Sequence, residues 1–305
     1  MTSSTTAPPR ASTPAGVRVL GWLAAAGTLP YLTLKLTWLS GGTAGMTDPA
    51  LLAEPAIVVG NAVTFAMDLV VIVLALALTH RWGDRLPVWL VLLPMWVGTG
   101  FLVPMAISIM PAITVETLTG GARSVAFEPW LQPLVYGGFA WQGVFLCVAF
   151  GAHAARRWSG LVTAVEPPAP GLVPFLRVVT AGGCVMAGAS ALLHLVVGLT
   201  AGSAVALGVE AVNAALAIAG AAGVAALVRT RPVSRWAAVA AAWTGSAAMF
   251  AWGLYTVTVG MTTTALGGGS DAAAGGAQLT GLLGGFALAV AGMLALVGAG
   301  ESRSA

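Results

Sequence analysis

Eight blocks of apolar residues, separated by short polar joints, constrain the fold of this chain more than any other feature. An α-helix rises ~1.5 Å per residue, so about 20 apolar residues cross the ~30 Å hydrocarbon core of a bilayer. The chain is 58% hydrophobic and only 8% charged, which leaves no stretch for a separate soluble domain. The sequence therefore predicts an all-α integral membrane protein embedded in a lipid bilayer. The expected spans are residues 17–40, 55–79, 86–110, 130–154, 172–199, 204–228, 236–260 and 277–299.

The basic residues predict the orientation of these spans. Of the 13 basic residues, all but Lys35 and Arg123 fall at the termini or on alternate joints. Positively charged joints stay in the cytoplasm, so we expect both termini to be cytoplasmic. Frequent Arg, Ala and Gly are typical of a GC-rich bacterial genome, which suggests the bacterial cell (inner) membrane. No basic cluster is dense enough to follow phosphates, so nucleic acid is not an expected partner. The residues on the cytoplasmic side are Arg10, Arg18, Arg81, Arg85, Arg156, Arg157, Arg177, Arg229, Arg231, Arg235 and Arg303.

The chain divides at a Pro-rich joint, residues 166–171, into two halves that resemble each other. The sequence GGFA at 137–140 recurs at 284–287, and the same comparison aligns Lys35 with His194 and Asn61 with Asn213. These matches predict two four-helix repeats, 17–165 and 172–305. Because each repeat has an even number of spans, the two run parallel about an axis along the membrane normal. Residues 1–16, rich in Ser, Thr and Pro, are expected to form a disordered tail.

The second predicted span carries an acid near the middle of the bilayer. Glu54, Asn61 and Asp68 recur every seven residues, which places them in one stripe of a helix. Asp68 then lies ~20 Å below Glu54, at a depth where an acid costs roughly 2.5 to 3.5 kcal/mol to insert. Such a group should face the bundle interior, either with a partner or with a bound proton that it could donate. Asp68 and Glu54 are therefore candidate catalytic residues.

The first predicted span presents a polar face, on which Tyr31, Lys35 and Trp38 follow at helical spacing. Lys35 and Asn61 should lie at similar depths on neighbouring antiparallel helices. We expect Lys35 to pair with Glu54 within reach of Asn61; the alternative is that Lys35 extends to the outer headgroups. Tyr31, Lys35, Trp38 and Asn61 are candidate substrate-binding residues.

The second half repeats this arrangement in weaker form. His194 and Glu210 are expected at similar depths on the fifth and sixth spans, with Asn213 one turn deeper. Glu210 is a third candidate catalytic residue, and His194 and Asn213 are candidate substrate-binding residues. The alternative is a structural hydrogen bond that clamps the two helices. Since eight of the 11 tryptophans precede residue 165, the first half is expected to hold the site.

Several other features leave alternatives open. Trp96 and Trp141 fall within spans, where they either line an aromatic substrate cavity or simply pack. His80 and His153 stand at the inner ends of spans, where interfacial placement is favoured over haem ligation. No metal-ligand spacing or phosphate-binding loop is present, and no metal or cofactor is expected. The outer joint 111–129 is too apolar for a plain loop and is expected to form a lid or a short interfacial helix.

The segment LKLTWLSGGTAG, residues 34–45, resembles a Lys, Trp and paired Gly pattern in multi-pass membrane proteins of high-GC bacteria whose activity is unassigned. In size and placement of acids the chain is also similar to the bacterial membrane-bound terpene cyclases. The first resemblance covers one helix end and implies no activity. The second is architectural, with no shared motif, and implies cyclisation of an isoprenoid substrate.

Three functions remain open at this point. The first is a membrane-embedded enzyme that protonates a lipophilic isoprenoid and so starts its cyclisation, with Asp68 or Glu54 as the acid. The second is a proton-coupled transporter of a small molecule, with its pathway between the two halves. The third is a non-catalytic membrane partner or regulator.

Overall fold

The computed structural model describes residues 15–120, 126–160, 167–231, 233–260 and 271–301. Within these ranges the chain forms eight helices long and apolar enough to cross a bilayer, so the protein is a multi-pass membrane protein and the eight predicted spans are confirmed. Most of the predicted tail, residues 1–14, and the first linker residue, 166, lie outside the described residues. The helices are α1 (Ala15–Leu39), α2 (Pro55–Thr79), α3 (Val88–Thr119), α4 (Leu131–Arg157), α5 (Val173–Thr200), α6 (Ala204–Val228), α7 (Arg235–Gly260) and α8 (Ala272–Glu301).

Consecutive spanning helices joined by short loops run antiparallel, so the joints alternate between the two ends of the bundle. We call one end the arginine end, because it holds Arg81, Arg85, Arg156, Arg157 and Arg229. We call the other the acidic end, because it holds Asp48, Glu54, Glu116, Glu128 and Asp271.

Helix α3 differs from its prediction by extending to Thr119, beyond the expected limit of residue 110. Gly120 then ends the helix in a left-handed conformation, with φ of +69°, which glycine adopts without steric cost. The first part of the joint 111–129 is thus a continuation of α3 rather than a separate lid or interfacial helix. Residues 126–128 pair with the α1–α2 joint, since the Glu128 N–H donates to Gly45 O at 2.9 Å.

The second half is a closed four-helix bundle, in which each of α5, α6, α7 and α8 packs against two neighbours in a ring. Small residues allow this close approach. A Cβ on Gly245 would lie 2.3 Å from Leu216 O, and one on Gly223 would lie 2.5 Å from Ala242 N. In a bilayer such packing takes the place of the hydrophobic effect in holding helices together.

The first half is open. Helix α1 packs against α2 and α4, and α4 packs against α3, but α2 and α3 barely touch. The ring that closes the second half is therefore interrupted between α2 and α3. Helix α3 packs instead against α7 of the second half.

The contact between α3 and α7 is reciprocal. The Trp96 indole N–H donates to the Ser246 hydroxyl at 3.1 Å, and the Trp243 indole N–H donates to the Thr99 hydroxyl at 3.1 Å. Trp243 follows Trp96 by 147 residues, and Ser246 follows Thr99 by the same number. The two GGFA sequences are also 147 residues apart. Gly100, directly after Thr99, lies so close to α7 that an added Cβ would be 2.2 Å from Ala247 O.

A π-helical turn at Met105–Ile109 interrupts α3. It lies between Pro104 and Pro111, neither of which has a backbone N–H to continue the regular pattern. The Ser108 hydroxyl donates to Pro104 O at 2.7 Å. This turn therefore widens the helix at its side facing the second half, and it contributes to the cavity described below.

Candidate functional site

Lys35 is bound inside the bundle by Asn61. The Lys35 side chain is 4% exposed, and its Nζ donates to Asn61 Oδ1 at 2.6 Å. The expected pair with Glu54 is not formed: among the described residues, the ion pairs within 4.0 Å are His153–Asp84 and His194–Glu210. Helix side chains tilt toward the N-terminus of their own helix, which for α1 is at the arginine end. Lys35 is thus directed inward, away from both Glu54 and the headgroups of the acidic end.

Two aromatic rings cover the ammonium group. Lys35 Nζ lies 4.3 Å from the centroid of the Tyr31 ring and 5.4 Å from that of Trp38, within the range of cation–π attraction. The Trp38 indole N–H donates to Ala44 O at 2.9 Å, which fixes this ring over the end of α1. The polar face predicted for α1 therefore surrounds the only lysine of the chain.

Asp68 is the acid closest to the middle of the membrane. It is 4% exposed, and its Oδ2 has no hydrogen-bond partner among the described residues. It interacts electrostatically with Lys35 and with Tyr31. Asp68 tilts toward the acidic end and Lys35 toward the arginine end, so the opposite charges approach each other from antiparallel helices.

All three tyrosines of the chain gather beside this charge pair. Tyr136 of α4 and Tyr255 of α7 lie within electrostatic range of the Tyr31 hydroxyl. Phe139 packs edge-on against both Tyr31 and Tyr136, with centroids 4.9 and 6.0 Å apart. Tyr255 in turn lies 5.9 Å from Trp252 between ring centroids. An aromatic layer thus links the Lys35 site to the second half.

His194 and Glu210 form the second buried ionisable pair, between α5 and α6. His194 Nδ1 lies 2.5 Å from Glu210 Oε2, and the two side chains are 10% and 22% exposed. Gly198 allows this short contact, because a Cβ there would lie 3.0 Å from the Glu210 Cβ and 3.1 Å from the Leu207 Cα. The predicted proximity of His194 and Glu210 is therefore present in the structure.

A cavity of about 270 Å³ adjoins this pair and extends between α3 and the second half. Of the described residues that line it, only His194 and Glu210 are ionisable. The polar residues of its wall come from five helices: Ser108, Ser190, His194, Glu210, Asn213, Trp252, Thr256 and Gln278. The apolar wall is formed by Pro104, Ile109, Val209, Ala248 and Met249, with Gly281. Most of the cavity wall comes from the second half, and α3 of the first half supplies Pro104, Ser108 and Ile109. The expectation that the first half holds the site stays a prediction.

The other predicted site residues lie apart from the cavity. Glu54 occupies the N-cap position of α2 without a side-chain capping bond. Trp96 is engaged with Ser246 at the α3–α7 contact. Trp141 is 49% exposed, and its indole N–H donates to Leu23 O at 2.9 Å, which ties α4 to α1.

The two histidines at the arginine end have protein partners. His80 Nδ1 lies 2.9 Å from Leu76 O, and His153 Nδ1 lies 3.1 Å from Leu78 O. The described residues contain no group of three or more His, Cys, Asp or Glu side chains suited to a metal ion.

Sequence reasoning identified His194, Glu210 and Asn213 of the cavity wall but missed Ser108, Ser190 and Gln278. These three are uncharged and scattered along the chain, so no spacing rule connects them. The one available signal was the pair Pro104 and Pro111, which marks an irregular turn in an otherwise apolar helix.

No family model, curated protein or solved structure matches this chain.

Proposed function

We propose that the protein is a proton-coupled carrier of a small polar solute, and that His194 and Glu210 form its proton-binding pair. One observation supports this most directly: an intramembrane cavity with polar walls contains these two ionisable groups and no other among the described residues. Ionisable groups inside membrane helices commonly mark proton or ion pathways. The Glu210 side chain is 22% exposed and lies within the first two turns of α6, near one end of the bundle.

The cavity favours a small polar solute over an isoprenoid. Its volume of about 270 Å³ lies at the lower end of the range of small-molecule sites, ~300–1,000 Å³. The polar groups around the cavity also suit a hydrogen-bonding molecule better than a hydrocarbon.

We further propose that residues 17–165 and 172–305 are parallel repeats related by a two-fold axis along the membrane normal. The reciprocal Trp96–Ser246 and Trp243–Thr99 bonds support this, because contacts across a two-fold axis occur in equivalent pairs. The axis would then pass between α3 and α7, beside the cavity. Rocking of one half against the other about this contact would open the cavity to each side in turn.

The orientation and location follow the same proposal. The arginine end would face the cytoplasm, with both termini on that side, in the inner membrane of a bacterium. If this chain belongs with the multi-pass proteins that share the LKLTWLSGG pattern, those proteins would be carriers of the same kind. Residues equivalent to Lys35 and Trp38 would identify them.

A second candidate is the acid-catalysed cyclase. The observation in its favour is Asp68, a carboxylic acid at mid-membrane depth whose Oδ2 is buried without a partner. An acid kept neutral in apolar surroundings still holds a proton that it can donate to an alkene. Lys35 weighs against it, because a fixed cation nearby disfavours a carbocation intermediate.

The test compares two variants in one preparation. Proteoliposomes with an imposed pH gradient are offered a filtrate of small bacterial cytosolic solutes, and the trapped solutes are identified by mass spectrometry. The carrier should trap at least one solute only while the gradient lasts; Glu210→Gln should lose this trapping and Asp68→Asn should retain it. The cyclase predicts the reverse dependence, with conversion of an added isoprenoid that needs no gradient and fails in Asp68→Asn. Equal trapping by wild type and Glu210→Gln would refute the assignment of the proton site.

A further inference from the structure

We infer that the solute carried by the cavity is a small organic cation rich in hydrogen-bond donors, which exchanges for the proton of the His194–Glu210 pair. This inference rests on the proposed carrier function and adds the class of solute and the direction of coupling. It depends on the charge and hydrogen-bonding capacity of the cavity wall.

The first argument is charge. No Lys or Arg is among the described residues that line the cavity, and the only acid there is Glu210. An anionic solute would therefore meet a carboxylate and no fixed positive charge. With one proton shared, the His194–Glu210 pair is neutral overall as imidazolium and carboxylate; loss of that proton to water leaves a net charge of −1. A bound cation restores neutrality, so the cation and the proton compete for one place.

The second argument is the hydrogen-bonding capacity of the wall. The Ser108 hydroxyl donates to Pro104 O at 2.7 Å, and the Ser190 hydroxyl donates to Ala277 O at 2.8 Å. Each hydroxyl has a single hydrogen, so both serines can only accept from a ligand. Together with the Glu210 carboxylate they form an acceptor set, which suits a ligand with several N–H groups. The Trp252 indole N–H, buried without a partner among the described residues, is a donor on the same wall.

The third argument is the aromatic ring of Trp252, which lines the same cavity. Trp252 packs edge-on against Phe101 and Tyr255, with ring centroids 5.7 and 5.9 Å apart. These contacts hold the indole in place, and the face of an indole is the best aromatic partner for a cation. A carboxylate and a fixed indole in one small cavity are thus complementary to a compact organic cation.

Because the proton and the cation neutralise the same net charge of −1 on the His194–Glu210 pair, the binding of one opposes the binding of the other. The carrier therefore binds a proton on one side and releases it as the cation binds on the other. This is an exchange of one cation for one proton. A carrier that moved a neutral solute together with the proton would need the protonated pair to persist during solute binding.

Three planar probes of similar size and different charge test the inference: guanidinium, urea and nitrate. Proteoliposomes contain a pH-sensitive dye, and the membrane potential is clamped with potassium and valinomycin. Guanidinium carries its charge at all accessible pH values, so it does not cross the bilayer as a neutral base. Added outside, it should drive protons out of wild-type vesicles, while urea and nitrate should not.

Matched variants locate the effect. Glu210→Gln should lose the guanidinium-driven proton movement, whereas Glu116→Gln, at the acidic end and outside the cavity wall, should retain it. Trp252→Leu should raise the guanidinium concentration needed for half the maximal rate several-fold, without loss of folding as judged by gel filtration.

The outcomes separate the two proposals. Proton movement with urea or nitrate but not guanidinium overturns the solute class and leaves the carrier intact. Failure of all three probes, while the cytosolic filtrate still gives trapping that depends on the gradient, also overturns the solute class alone. Failure of both assays overturns the carrier itself.

Discussion

At the scale of single residues, the polar groups of this protein are arranged by the tilt of side chains along their helices. Lys35 and Asp68 are separated by a turn or more in backbone depth, yet they interact because each side chain leans toward the other. The same tilt explains why the expected Lys35–Glu54 pair does not form. The depth of Lys35 was predictable from the sequence, but the choice of Asn61 over Glu54 depends on where the ammonium group points.

The Lys35–Asp68 interaction predicts a thermodynamic coupling. Lys35→Met leaves the Asp68 carboxylate without its counter-charge, and Asp68→Asn leaves the ammonium without its own. We expect each single variant to lower the unfolding temperature in detergent, and the double variant to be more stable than the sum of the two predicts, by ~1–3 kcal/mol. Thr37→Val is the control, because this hydroxyl bonds only to Thr33 O on its own helix. Additive losses within ~0.5 kcal/mol would show that the two charges act independently.

At the scale of helices, α3 is the element that joins the two halves. The position of α3 could not be predicted from hydropathy, because the hydropathy of an apolar helix does not indicate which neighbouring helix it packs against. Small residues decide this choice locally: Gly100 brings α3 against α7, whereas Gly98 faces open space. The eight spans were predictable because length and hydropathy suffice for them, whereas their packing depends on positions where one methyl group matters.

Gly98 and Gly100 provide a matched pair of substitutions. Gly100→Ala places a Cβ 2.2 Å from Ala247 O and must separate α3 from α7, so we expect a loss of roughly 1–3 kcal/mol in unfolding free energy. Gly98→Ala has no atom within 4 Å of the new Cβ and should be neutral or slightly stabilising. Thermal unfolding of the two variants in one detergent measures the difference. Equal stability of both would mean that the α3–α7 contact is looser than described.

At the scale of the whole molecule, the halves differ in completeness. Helices α5 to α8 close a ring, whereas the first half leaves α2 and α3 apart and packs α3 against α7. The duplication suggested by the sequence does not predict this difference. Aligned residues such as Lys35 and His194 indicate corresponding positions in the two halves, but they do not indicate how closely the helices of each half pack. Helices α5 to α8 supply most of the cavity wall, and Pro104, Ser108 and Ile109 of α3 complete it.

The asymmetry predicts different behaviour of the separated halves. When the chain is cut between residues 160 and 167, the second half should purify from detergent as a stable monomer. The first half alone leaves α3 without its main packing partner, whereas α7 keeps both of its neighbours in the ring, so the first half should aggregate or dimerise. Expressed together, the two pieces should elute as one complex in gel filtration. A first half that is stable and monomeric by itself would contradict the role assigned to α3.

The π-turn of α3 has a consequence for insertions and deletions. A π-turn accommodates one residue more than an α-turn, and each residue of a regular helix accounts for about 100° of rotation. Removing one residue from Met105–Ile109 would restore an unbroken α-helix, a local gain in regularity. Because the wide turn absorbs that residue within one turn, the segment Met110–Thr119 would keep its rotation relative to the rest of the helix. The part of the turn that presents Ser108 and Ile109 to the cavity would be lost. The irregular turn thus supplies one side of the chamber, and a deletion that repairs the helix would remove it.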